Sequence, residues 1–181
     1  MPATRDPELA ARKVLRDLGI KHGPVKLKPL TQKLGIDLAF ESLDEELSGV
    51  LIKEDRKVFI AVNSKHSTTR QRFTIAHEIG HFMLAHPGEM FVDKTLRQRA
   101  VVVRRDGRSS EGTDKDEVEA NRFAAELLMP RDFVEEEVRK RLARKPTPSK
   151  EALVSDLAKH FEVSPQAMEY RLVNLGFLMA V

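Results

Sequence analysis

An α+β fold is predicted by three features of this 181-residue chain. Period-two alternation is confined to short runs between residues 36 and 62, apolar residues recur at helical spacing before and after them, and 41% apolar content is enough to bury one core. The runs predict a small antiparallel sheet, and helices account for most of the rest.

Asp6-Pro7 reads as an N-cap followed by a proline at the first helical position, with Ala11, Leu15 and Leu18 as the buried stripe. A second short helix spans Pro29 to Leu34 and stops at Gly35. Ile36 to Phe40, Gly49 to Ile52 and Val58 to Val62 read as strands, with a charged turn at Glu54-Asp55-Arg56.

Composition removes several function classes. There is no cysteine, which excludes a thiolate metal site and a disulfide scaffold and suits a reducing cytoplasm. The formal charge of +3 is spread among mixed signs, as on solvated helix faces and unlike a nucleic-acid footprint. No apolar leader and no run of about 18 apolar residues is present, so a soluble, cytoplasmic protein without a membrane span is expected.

Thr74-Ile75-Ala76-His77-Glu78-Ile79-Gly80-His81-Phe82 carries chemistry as well as packing. Residues i and i+4 lie one turn apart on a helix, about 6 Å along the axis, so His77 and His81 can offer two imidazole nitrogens to one ion. Glu78 follows the first histidine and can reach a water on that ion as a general base. Phe73, Ile75, Ile79, Phe82 and Met83 fill the other faces of a helix predicted from Gln71 to His86 and ended by Pro87-Gly88. Two histidines that merely pack in a core would need other polar partners there. For a hydrolase of peptides, the edge of the preceding sheet would hold an extended main chain; a plain hairpin is the alternative.

A catalytic Zn²⁺ takes three protein ligands, so one more is required. His86 lies five residues beyond His81, about 140° round a continuing helix, and is set aside on that geometry. The helix Asp116 to Met129, stopped by Pro130, offers two glutamates. Glu117 shares a face with Asn121, giving a ligand and an outer hydrogen-bonding group together; Glu119 points about 160° away from Asn121 and is the competitor. Both could instead simply enrich a helix first turn. His₂Glu is a borderline ligand set that suits Zn²⁺ and admits Mn²⁺.

Arg72-Phe73-Thr74-Ile75-Ala76-His77-Glu78-Ile79-Gly80-His81, followed by Glu117-Val118-Glu119-Ala120-Asn121-Arg122-Phe123-Ala124-Ala125-Glu126-Leu127-Leu128-Met129-Pro130, resembles the ImmA/IrrE family of zinc metallopeptidases. Leu47-Ser48-Gly49, Ile60-Ala61-Val62-Asn63 and the segment from Val163-Ser164 to Arg171-Leu172 extend the likeness over most of the chain. The resemblance implies a zincin-like, gluzincin-like core with His77, His81 and Glu117 as metal ligands and Glu78 as base. It also implies a helix-turn-helix transcriptional repressor as substrate, cut to derepress a mobile element, a toxin-antitoxin pair or a DNA-damage response. The length is expected to leave no room for the DNA-binding and sensor domains of longer members.

Between Met90 and Asp116 the pattern dissolves into scattered basic residues, which reads as a long loop with at most a short strand. Phe133 to Ala143 reads as a solvated helix in which Glu135, Glu136 and Glu137 precede Arg139, Lys140 and Arg141 by one turn. Pro146-Thr147-Pro148 divides the chain into a metallopeptidase domain, 1–145, and a C-terminal helical pair, 146–181, packed on or appended to it. That pair resembles a helix-turn-helix, so DNA contact or sequestration of a repressor without proteolysis is the rival function. Its second helix carries only Glu169 and Arg171 as charges, which offers little attraction for phosphate. Tyr170, the single tyrosine, has no placement near the metal from sequence.

Overall fold

The computed structural model describes residues 6–54, 57–86, 110–143 and 148–179, without the side chains of 110–114. The turn at Asp55-Arg56, the stop at Pro87-Gly88, the basic stretch 87–109 and Pro146-Thr147 lie outside the described residues. No described helix is long and apolar enough to cross a membrane.

The first helix, α1 (Pro7–Asp17), starts where Asp6 accepts hydrogen bonds from the Glu8 and Leu9 amides at 2.9 and 3.3 Å. It buries Ala10, Ala11, Val14 and Leu15. Helix α2 (Leu27–Lys33) leads into strands β1 (Ile36–Glu41), β2 (Gly49–Glu54) and β3 (Lys57–Asn63). The sheet order is β1-β3-β2. β2 and β3 pair antiparallel, with Gly49 opposite Val62, as the predicted hairpin requires.

The expectation of an antiparallel sheet holds for that pair alone, because β1 runs parallel to β3 with Ile36 opposite Val58. The reason is connectivity. Residues 42–48 carry the chain past the place that β3 will fill, β2 returns as the far edge, and β3 then enters between them in the direction of β1. Buried Asn63 fixes this loop, donating from Nδ2 to the Asp44 and Leu47 carbonyls at 3.0 and 2.9 Å and accepting from the Lys65 amide at 3.1 Å.

Helix α3 (Thr68–Met83) crosses the sheet and packs along α4 (Ser110–Leu128). α4 begins earlier than the predicted Asp116, because Gly112 weakens the helical signal in the sequence before it. Helices α5 (Arg131–Leu142), α6 (Lys150–Phe161) and α7 (Pro165–Asn174) complete the chain. Ser149 and Ser164 cap the last two, and Glu162 turns between them at φ +57°.

One apolar cluster takes in Ile60 and Val62 of β3, Ile75 and Ile79 of α3, Phe123 and Leu127 of α4, and Leu157, Phe161, Met168 and Leu172 of α6 and α7. Two arginines tie the last helices to it. Arg72 of α3 donates to the Glu162 carbonyl at 3.0 Å and the Val25 carbonyl at 3.1 Å. Arg171 of α7 donates to the Met129 carbonyl at 2.9 Å and pairs with Glu126, which is 1% exposed. The remaining Glu126 oxygen accepts from Arg12 at 2.8 Å and from the Arg131 amide at 3.3 Å, so this buried carboxylate is fully partnered.

Candidate metal centre

The site grows out of how closely α3 approaches its two neighbours. Ile75, Ala76 and Ile79 turn into the core, which leaves His77, Glu78 and His81 on a partly buried face. Gly80 sits against α4: a Cβ there would lie 3.2 Å from the Ala120 Cα and carbonyl oxygen and 3.2 Å from Phe123 Cδ1. Hydrogen at this position lets the helix backbones meet, which brings Glu117, one turn before Ala120, within reach of the two histidines. On the other side Gly49 opens β2 against α3, where a Cβ would fall 2.4 Å from Thr74 Cγ2 and 3.8 Å from Glu78 Oε1. The edge strand thus starts beside the Glu78 carboxylate.

Three side chains converge. His77 Nε2 and His81 Nε2 are 3.0 Å apart, and Glu117 presents Oε2 to the first at 3.2 Å and Oε1 to the second at 3.4 Å. Donors held at about 2.0–2.1 Å by a tetrahedral ion stand about 3.3–3.4 Å from one another, so the triangle has the size of one face of such a tetrahedron. Its protonation agrees. His77 Nδ1 donates to Asn121 Oδ1 at 2.9 Å, so a singly protonated ring turns its Nε2 lone pair to the triangle, the place that a proton shared with Glu117 takes when no cation is bound. Lone pairs and a carboxylate aimed at one point repel each other unless a cation lies between them, and this donor set suits a divalent ion.

Charge in the site is held in opposite directions. Hydrogen bonds to His77 and then to His81 keep the Glu117 carboxyl well below the ordinary carboxylate range, although burial opposes them. Burial would lower His77, but Glu117, the charge of Glu78 and Asn121 overcome it and raise that imidazole above its usual value. Burial raises Glu78 against the pull of His77 and His81. A carboxyl raised in this way takes up a proton more readily than a free one.

His86 is placed otherwise than expected. α3 ends at Met83, Ala85 adopts the left-handed conformation at φ +54°, and the His86 amide bonds back to the His81 carbonyl at 3.1 Å. The ring therefore folds under His81 and does not continue round the helix: His86 Nδ1 lies 3.0 Å from His81 Nδ1, and its Nε2 lies 3.2 Å from Glu119 Oε2. Glu119, the competing glutamate, faces His86 and not the triangle. One sequence signal pointed this way, since Pro87 disfavours the α conformation at residue 86 and so argues for an earlier helix end. The exposed Tyr170 lies on α7.

An immunity region protein of Bacillus phage phi105 is 33% identical over 101 residues, 56% of this chain and 56% of the phage protein. A Mycobacterium tuberculosis transcriptional regulator superposes with a TM-score of 0.60 at 20% identity, over 94% of this chain and 47% of that one, and shares the fold. The chain thus spans about half the length of the relatives it matches. The peptidase family model described as an IrrE N-terminal-like domain matches residues 31–173, from α2 to α7 and across both site helices. The chain therefore belongs to the ImmA/IrrE family of zincin-like metallopeptidases, a membership that implies a divalent metal.

Proposed function

We propose that the protein is a zinc-dependent endopeptidase that cleaves a helix-turn-helix transcriptional repressor in the cytoplasm and so derepresses the genes it controls. The observation that carries this reading is the triangle of His77, His81 and Glu117 beside the partly buried carboxylate of Glu78. His77, His81 and Glu117 would hold the ion, with Asn121 orienting His77. When bound, such an ion supplies Lewis acidity that polarises a carbonyl and acidifies water.

The chain's own groups move the proton. Glu78 accepts it from the attacking water as the new C–O bond forms, and returns it to the departing amine as the C–N bond breaks. The edge of β2, which begins beside Glu78, can hold an extended substrate by its main chain. The phage relative's name, which sets that protein in an immunity region, supports a repressor as substrate.

The test is incubation with the helix-turn-helix repressor encoded beside this gene, with and without chelator. Cleavage is expected with Zn²⁺, and Glu78→Gln should lose at least about 10²-fold in rate while binding zinc as before. Undiminished cleavage by that variant would falsify the mechanism. Binding of an intact repressor in all samples would instead favour sequestration. DNA reading by α7 has little support, because Arg171, its one cation, is buried against Glu126.

A further inference from the structure

Beneath the triangle lies a second group of polar side chains, His86, Asp116 and Glu119, to which nothing above gives a role. We propose that Glu119 and His86 form a positioning relay that holds the proton of His81 on Nδ1 and turns its Nε2 lone pair into the metal site. The proposal rests on the metal reading of His77, His81 and Glu117. It also excludes a second cation from the cluster.

The argument is one of tautomers. His86 is 8% exposed, and both of its ring nitrogens have partners. A carboxylate oxygen accepts, so a His86 ring carrying one proton donates from Nε2 to Glu119 Oε2 at 3.2 Å, and its Nδ1 keeps a lone pair. The 3.0 Å contact between His81 Nδ1 and His86 Nδ1 then needs its proton from His81. A singly protonated His81 then has its Nε2 lone pair turned toward His77 and Glu117, free for an ion. Asn121 does the same for His77, so both imidazoles reach the triangle in one tautomer through separate partners.

The other use of these atoms is a cation among His86 Nε2, Glu119 and Asp116, whose Oδ1 lies 3.8 Å from the ring. A cation on Nε2 moves the His86 proton to Nδ1 and reverses the bond between the rings. His81 would then carry its proton on Nε2, where it blocks donation to the triangle. The two uses exclude each other, and only the relay leaves His77, His81 and Glu117 able to bind.

Two measurements decide it. Long-range ¹H–¹⁵N correlation spectra of the metal-free full chain should show His81 protonated on Nδ1 and His86 on Nε2; His86 protonated on Nδ1 overturns the relay. Zn²⁺ titration against a chromophoric chelator should give one ion per chain. His86→Leu should weaken that binding about 10- to 100-fold, and His86→Asn, whose Oδ1 can accept as Asn121 does, should recover most of the loss. If His86→Leu fails the circular dichroism check for folding, Glu119→Leu takes its place and should also weaken binding. Unchanged affinity in the folded variant overturns the relay, as do two ions per wild-type chain with the second lost in Asp116→Asn. Zinc binding lost in Glu117→Ala but kept in His86→Leu removes the relay alone. Equal binding by wild type and Glu117→Ala removes the metal reading and the relay with it.

Discussion

Gly80 shows how much of the site depends on a single missing methyl group. The atoms that its Cβ would press upon are mostly backbone of α4, which cannot swing aside. Gly80→Ala should cost about 1–3 kcal/mol of stability, and it should lower zinc affinity by moving Glu117 away from the histidines. Denaturant unfolding and chelator competition on the same samples check both; a stable variant that binds zinc normally would contradict the proposed role. Gly49 makes a second close contact, but its main obstacle is the Thr74 methyl. Gly49→Ala should therefore be destabilising alone and partly rescued by Thr74→Ser, which removes that methyl, giving a measurable coupling in a double-mutant cycle. The Ala61 carbonyl, 3.0 Å from the same added Cβ, limits the rescue.

Among the helices, α5 departs most from its sequence pattern. Glu136 and Lys140 pair at 2.7 Å as the one-turn spacing predicts, but Glu135 turns back to Arg131 at 3.2 Å. Arg141 is buried, pairs with Glu137 and reaches across to Asp156 of α6 at 3.0 Å, so part of this face joins two helices and is not simply solvated. Burial raises the Glu137 carboxyl, but hydrogen bonds from Lys140 and Arg141, aided by His160, hold it at about 2 against an ordinary 4.5. A carboxyl depressed by folding stabilises the fold above its unfolded pKa and loses that contribution as pH falls through the folded value. Wild-type stability should thus decline between about pH 4.5 and 2, and Glu137→Gln should show a shallower decline in urea unfolding over that interval. Parallel curves for the two proteins would remove Glu137 from the acid transition.

Across the molecule, α6 and α7 share the apolar cluster that holds α3 and α4, and Arg171 supplies a buried countercharge to the carboxylate of Glu126. The division at residues 145 and 146 is accordingly proposed as one of packing and not of independent folding. Arg171→Met should cost about 3–5 kcal/mol, because a buried carboxylate loses a partner, whereas Glu126→Leu combined with Arg171→Met should cost less than Arg171→Met alone. Calorimetry should give one transition for the full chain, and residues 1–145 expressed alone should show none. Two separate transitions in the full chain would mean that the C-terminal helices fold as their own unit.

Residue spacing carried the local features a long way. The strand runs, the caps at Asp6 and Ser164, the helix that carries His77, Glu78 and His81, and the shared face of Glu117 and Asn121 are set by interactions within a turn or a strand, which periodicity reports directly. Features that depend on separated segments were not legible. The parallel pairing of β1 with β3 follows from where β2 lies. The left-handed turn at Ala85 puts His86 beneath His81, where Glu119 from another helix can reach it. Such contacts depend on the relative placement of elements, and side-chain spacing along one element holds no record of the neighbour it will meet.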